Sequence, residues 1–410
     1  MEKNTLFYAI LAILVTQYLA HQFLEYLNAK RFQSTLPPEL ADVFDETEYR
    51  KSQQYKRANY KFGLISDGFS LVLTVCFLVL GGFEWVDRLT RSITEDTIPM
   101  ALLFFGIIMF GSALLGLPFS YYKTFVIEGE YGFNKTTKST FLSDKIKGTL
   151  LTLVLGGGML ALFILFYIST GRNFWIYMWV AVGVFILFIN LFYSRLIVPL
   201  FNKQTPLEEG SLKKSIEDYA KKVGFELQNI FVIDGSKRST KANAYFSGFG
   251  KEKRITLFDT LINDLSEDEI VAVLAHEVGH YKRKHIIANL FASLFTTGVT
   301  LFILSLFINH PEISLAIGVS TPSFHAALVG FALLYSPISE ITGLIMNYLS
   351  RRFEFQADNF AKRTFAASPL ISSLKKLSKK SLSNLTPHPA YVFVHYSHPP
   401  LIERIRNLKA

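Results

Sequence analysis

Apolar residues run for about 20 positions at a time in seven places, the length a helix needs to cross a bilayer. The stretches are 5–26, 63–85, 98–121, 148–167, 174–198, 286–308 and 324–349, and each predicts a transmembrane helix. The first is too long for a secretory signal and leaves through "HQFLEYLNAKRF" with no small-residue cleavage pattern, so it reads as a retained span. The pattern changes period in 199–285. There "PLEEGSLKKSIEDYAKKVGF" sets Leu212, Ile216, Tyr219 and Val223 on one stripe of an amphipathic helix. Residues 227–234 read as a strand, and "NAYFSGFGKEKRITLFD" as a β-hairpin turning at 250–253. The tail opens on a polar helix, "SRRFEFQADNFAKRTF". The pattern predicts a mainly α-helical integral membrane protein of about seven transmembrane helices, with a cytoplasmic subdomain containing a small β-sheet. Its parts are 1–198 (spans one to five), 199–285 (soluble subdomain), 286–349 (spans six and seven) and 350–410 (tail).

Composition agrees: 38 phenylalanines and only 18% charged residues are unlike a soluble domain. The net charge of +9 would suggest nucleic acid in a soluble protein, but its distribution follows topology. Lys30, Arg31, Lys56, Arg57, Lys145 and Lys147 follow odd-numbered spans, whereas even-numbered spans are followed only by Arg88, Arg91 and Arg172. That alternation is the positive-inside pattern. It puts the N-terminus outside and 26–62, 122–147, 199–285 and 350–410 in the cytoplasm, and no nucleic-acid partner is expected. The single cysteine, Cys76, lies in span two; it can form no intrachain disulfide and reads as a small core residue.

The chemistry begins at "LSEDEIVAVLAHEVGH". Ser266 followed by Glu269 spells a capping box, and the acidic 267–269 suit the positive end of a helix dipole. His276 and His280 therefore lie one turn apart on one helix face, where two imidazoles can share a metal ion. Glu277, about 100° round the helix, can hold a water beside the ion. This is the HExxH arrangement of zinc peptidases, and two solvated histidines are its bland alternative.

A catalytic zinc needs a third protein ligand. Span six starts about six residues after His280, and span seven ends about five residues before Glu354. An antiparallel pair of spans brings those ends together, since such offsets cover only about 9 Å of helix. Asp358, one turn beyond Glu354, could accept the free ring N–H of a ligand histidine. Alternatively, both carboxylates pair with Arg351, Arg352 or Lys362 on a solvated face.

With "HEVGH" and "SRRFEFQAD", the segments 125–148, 198–210, 241–250 and 397–405 make the chain resemble the type I CaaX prenyl endopeptidases, a family of membrane-embedded metalloproteases. The resemblance implies one zinc ion (Zn2+) per chain, held by His276, His280 and Glu354, with Glu277 as general base and the helices enclosing an intramembrane chamber. It implies that Asn243, Ala244, Tyr245 and Phe246 form a strand edge to which substrate backbone adds. His398 and Arg404 would steady the substrate carbonyl and oxyanion. Read without the resemblance, Asn243 is a turn residue, His398 a surface loop residue and Arg404 a headgroup contact. The expected reaction is peptide hydrolysis by metal-activated water, releasing the C-terminal tripeptide of a prenylated CaaX substrate. The expected partners are a peptide or lipidated C-terminus and membrane lipids, in bacterial inner membrane or endoplasmic reticulum; the oligomeric state is open, a monomer included. Polar residues in or near spans, Gln17, His21, Gln22, Asn190, Glu340 and Asn347, are expected to face protein or water. Rival readings are a heat-shock-type quality-control metalloprotease, a non-proteolytic membrane chaperone and a metal transporter. Fewer spans are expected of the first, the intact Glu277 disfavours the second, and the position of the histidines before span six disfavours the third.

Overall fold

A computed structural model describes residues 3–32, 36, 38–227, 229–247 and 254–410. Six helical segments are long and apolar enough to cross a membrane, and one of them, 138–201, is 64 residues long. Gly171, at φ 56°, breaks that segment into two helices joined by Gly171–Asn173, which fold back on each other through Phe163, Ile164, Phe174 and Met178. The membrane helices are thus α1 (Lys3–Ala29), α2 (Glu46–Val79), α4 (Thr97–Tyr121), α5 (Lys138–Thr170), α6 (Phe174–Phe192), α9 (His285–Phe307) and α10 (Phe324–Thr364). Their outward faces stay apolar, with Val184, Phe291 and Phe295 exposed where lipid would cover them.

The boundaries differ from the hydropathy reading in instructive ways. Helix α2 begins 17 positions before its apolar stretch, at a capping box built by Asp45 and Glu48. It stops at Val79 instead of reaching Trp85, because Gly81 takes a left-handed conformation (φ 75°). A separate helix, α3 (Gly82–Ile93), follows. Likewise α10 runs unbroken for 41 residues, across 349–350 and through the "SRRFEFQAD" stretch. Cys76 is exposed on α2 and is not a core residue; a thiol is apolar enough to stand on such a surface. Of the polar residues in spans, Gln17 accepts from Ser336, Gln22 donates to Asp67 with His21 3.5 Å from the same carboxylate, and Asn347 donates to the Val394 carbonyl. Asn190 donates to the Ile186 carbonyl within its own helix.

The non-membrane unit is built on a four-stranded sheet of order β1-β2-β4-β3: β1 Gln204–Pro206, β2 Asn229–Ile233, β3 Ala244–Ser247 and β4 Arg254–Phe258. Strands β2 and β4 are parallel, and β3 and β4 are the antiparallel hairpin arms. The expected turn at 250–253 lies outside the described residues. Strand β1, paired antiparallel to β2, had no sequence signal. The sheet packs on α7 (Ser211–Lys222) and α8 (Glu267–Lys282) through Ile216, Tyr219, Ile255, Leu257, Ile270 and Leu274. The tail adds α11 (Ala367–Lys380), α12 (Pro389–His395) and α13 (Leu401–Lys409).

What positions the site is the crossing of α8 and α10. A Cβ on Gly279 would lie 3.0 Å from the Ala357 Cα and 3.1 Å from its carbonyl oxygen, so the two backbones approach as closely as only glycine allows. Gly279→Val should therefore overpack this crossing and lower stability by about 1–3 kcal/mol. Thermal unfolding of the detergent-purified protein measures this, and an unchanged midpoint would contradict the packing argument.

Candidate metal centre and active site

The capping box at Ser266 forms, with the Glu269 carboxylate accepting from the Ser266 N–H at 2.8 Å, and fixes where α8 begins. Ten residues after Ser266 and one turn beyond that, the imidazoles of His276 and His280 project from one face towards α10. Their Nε2 atoms are 3.2 Å apart, and each lies 3.3 Å from an oxygen of Glu354. His276, Glu354 and Asp358 are buried.

Neighbouring groups decide what these atoms present. His276 Nδ1 donates to Asp358 at 2.9 Å, which leaves its Nε2 with a lone pair. His285, the first residue of α9, repeats the device for His280: its Nδ1 is 3.1 Å from His280 Nδ1, and its Nε2 is 3.0 Å from Gln356 Oε1. With the amide oxygen accepting from His285 Nε2–H, His285 Nδ1 accepts from His280, and the Nε2 of His280 is also left as a lone pair. Stacking on Phe353, at 4.3 Å between ring centres, holds the His285 ring.

Two imidazole lone pairs and a carboxylate thus face one point in a buried space. Among the described residues, none hydrogen-bonds the buried Glu354 Oε2. A cation resolves this. Burial works against charge on His276, but the carboxylates of Asp358 and Glu354 outweigh it and lift the ring's pKa to about 9. Positive charge is therefore favoured here whether a proton or a metal brings it. Counting Glu277, Glu354 and Asp358 against Arg404, the local charge is −2, which a divalent ion neutralises. Two nitrogens and one carboxylate at this spacing are a zinc donor set with room for a further ligand.

Arg404, on α13, is buried and donates through Nε and Nη2 to both oxygens of Asp358, at 2.9 and 2.6 Å. Its Nη1 remains, 3.5 Å from Glu354 Oε2. His398 is largely exposed, with Nε2 3.3 Å from Glu354 Oε1. Glu277 is half-buried and makes no hydrogen bond or ion pair among the described residues. It lines a cavity of about 350 Å³ together with His276, His280, His398, Arg404 and, from the sheet, Asn243 and Ala244. Asn243 accepts from the Ala244 N–H, and β3 is an edge strand that starts at this cavity. Tyr245 sits on the same strand with its hydroxyl buried; the side chain of Phe246 lies outside the described residues.

Among the described residues neither Glu354 nor Asp358 pairs with Arg351, Arg352 or Lys362; the cation beside both is Arg404. Arg351 instead donates to the carbonyls of Val392, Phe393 and Tyr396, anchoring the end of α12 just before His398. His285 and Gln356 were missed in the sequence. The signal available was a third histidine five residues after His280, but its meaning depends on the break at Lys284 (φ 60°), which turns α9 back towards the pair.

Comparisons with known proteins now bear on this geometry. Residues 25–203 match the family described as CAAX prenyl protease N-terminal, five membrane helices, and residues 206–410 match peptidase family M48. CAAX prenyl protease 1 of Saccharomyces cerevisiae is 36% identical, over 96% of this chain and 93% of the relative. The CAAX prenyl protease 1 homolog of Homo sapiens is 35% identical, over 99% and 96%. The crystal structure of S. mikatae Ste24p is similar with a TM-score of 0.94 at 35% identity, covering 99% of each chain.

If Asp358 and His285 orient the histidines as described, Asp358→Asn and His285→Leu should each weaken metal binding roughly 10- to 100-fold. A competing chelator titration reads this. Asp358→Asn also strands the Arg404 charge, so the double variant D358N/R404M should recover folding stability without recovering metal affinity. Recovery of both would make the pair merely structural.

Proposed function

Because the chain belongs to peptidase family M48, as a membrane metalloendopeptidase of the CAAX prenyl protease type, we propose that it cleaves the C-terminal tripeptide from prenylated CaaX substrates. In this reading His276, His280 and Glu354 hold one zinc ion per chain. The observation that carries it is the convergence of those donor atoms within 3.2–3.3 Å of their neighbours, beside a Glu277 carboxylate that no described residue hydrogen-bonds or ion-pairs.

When bound, zinc supplies Lewis acidity, lowering the pKa of water towards neutrality and polarising a carbonyl. The chain's own residues do the rest. Substrate backbone extends the open edge of β3 past Asn243, which lays the peptide across the cavity floor formed by α8. Glu277 accepts a proton from the attacking water and delivers it to the leaving amine as the C–N bond breaks. His398 Nε2 and Arg404 Nη1, both on the cavity wall, donate to the oxygen on which negative charge develops. Asp358 keeps Arg404 from rotating out of this role. The charge alternation along the sequence supports a cytoplasmic metal centre. A lipidated C-terminus already resides at that surface, so the site meets substrate where it partitions.

Glu277→Gln should retain stoichiometric zinc and lose about 10²- to 10⁴-fold in kcat on a fluorogenic peptide in detergent. Full turnover by this variant would remove Glu277 as the base. For the substrate, a farnesylated CaaX peptide should lose three residues in a chelator-sensitive manner, identified by sequencing the products, and an unlipidated control should be cut more slowly. Equal cleavage of both peptides would exclude recognition of the prenyl group.

A further inference from the structure

A groove of about 860 Å³, more than twice the volume of the metal-centre cavity, runs between α2 and the end of α4. On α2, the residues lining it are Gln54, Arg57, Lys61, Phe62 and Ile65, with Ala58, a set that shares one helix face. Along that face polarity falls from charged to apolar within about 16 Å. The opposite wall repeats the gradient in reverse chain order, from Pro118 and Phe119 through Tyr122 to Glu130 and Tyr131. After Pro118 the backbone loosens into a π-helix over Tyr122–Ile127, a feature often found at functional sites. Aromatic contacts line the apolar end: Phe62 stacks on Tyr122 and lies 6.3 Å from Phe119.

The groove is therefore amphipathic along its length, with both polar ends together. Arg57 and Lys61 make no ion pair among the described residues and are exposed. Glu130, also exposed, is the one acidic residue lining it, so the polar end carries +1. A basic pocket between membrane helices, opening onto an apolar slot, matches an anionic lipid headgroup with its chain beneath. A prenyl group is uncharged and would leave both cations unpaired.

We propose that this groove is a binding site for one anionic phospholipid, its phosphate at Arg57 and Lys61 and an acyl chain against Phe62, Ile65 and Phe119. The site is separate from the metal centre, yet its wall residue Ile127 precedes Glu128, whose carboxylate receives Lys241 and Tyr55 beside the substrate edge.

Native mass spectrometry of the full chain, exchanged into equal mixtures of phosphatidylglycerol and phosphatidylcholine, tests this. The unmodified protein should retain one phosphatidylglycerol per chain in preference to phosphatidylcholine. R57Q/K61Q should lose that retention roughly 30-fold, and E130Q should strengthen it roughly fivefold. Activity on a short peptide, with an unchanged melting temperature, confirms that the variants are folded. Equal retention of the two lipids, or retention unaffected by R57Q/K61Q, overturns the proposal. Displacement of the lipid by an equimolar farnesylated peptide also overturns it and assigns the groove to the prenyl chain.

Discussion

One carboxylate, that of Asp358, holds the centre together. It is fully buried, accepts from His276 and from two nitrogens of Arg404, and so ties α8, α10 and α13 to a single point. Burying a carboxylate is tolerable only when every lone pair is answered, and here charged donors answer both oxygens. The consequence is directional. With the Nδ1 proton of His276 committed to Asp358, Nε2 is the ring nitrogen left to meet a cation, proton or metal ion, in the cavity. His285 and Gln356 impose the same choice on His280 without a formal charge. The structure thus creates an electron-rich point that is unfavourable when empty and favourable around a dication.

Much of this was legible in the chain because it rests on local periodicity. The start of α8 follows from Ser266 and Glu269, the shared face of His276 and His280 from helical spacing, and the approach of Glu354 from two antiparallel spans. What escaped depends on contacts that no local rule encodes. Hydropathy marks where a helix meets lipid but not where it ends, so α2 and α10 both run well beyond their apolar stretches. The pairing of Arg404, expected at the substrate, with Asp358, a partner 46 residues away, had no local signal. His285 looked like the edge of a membrane span, because its role requires the reversal at Lys284. Strand β1 is three residues long and acquires its conformation only from pairing with β2.

The continuity of α10 gives the membrane a mechanical role. One rigid element carries Ser336 in the apolar region, then Glu354 and Asp358 at the metal centre, and then Ala361 in the core of the soluble unit. Because Gly279 lets α8 lie directly on that element, the histidines are referenced to a membrane helix and not to a loop. A metal site needs its donors held to within a few tenths of an ångström, and a helix crossing supplies this more reliably than connecting segments do.

The β3 edge is referenced to the membrane half as well, by a different route. The segment leading into β3 is clamped to residues 128–144: Arg238 forms a two-pronged pair with Asp144, Asn134 bridges to Ser239, and Lys241 reaches Glu128. These contacts end two residues before Asn243. The candidate metal donors are therefore placed by α8 and α10, and the β3 edge by residues 128–144, two separate parts of one bundle. Under the proposed function, a peptide bond meets the metal donors only when both references agree. In that reading the chain's long N-terminal half, far from the donor residues in sequence, is structurally part of the active site.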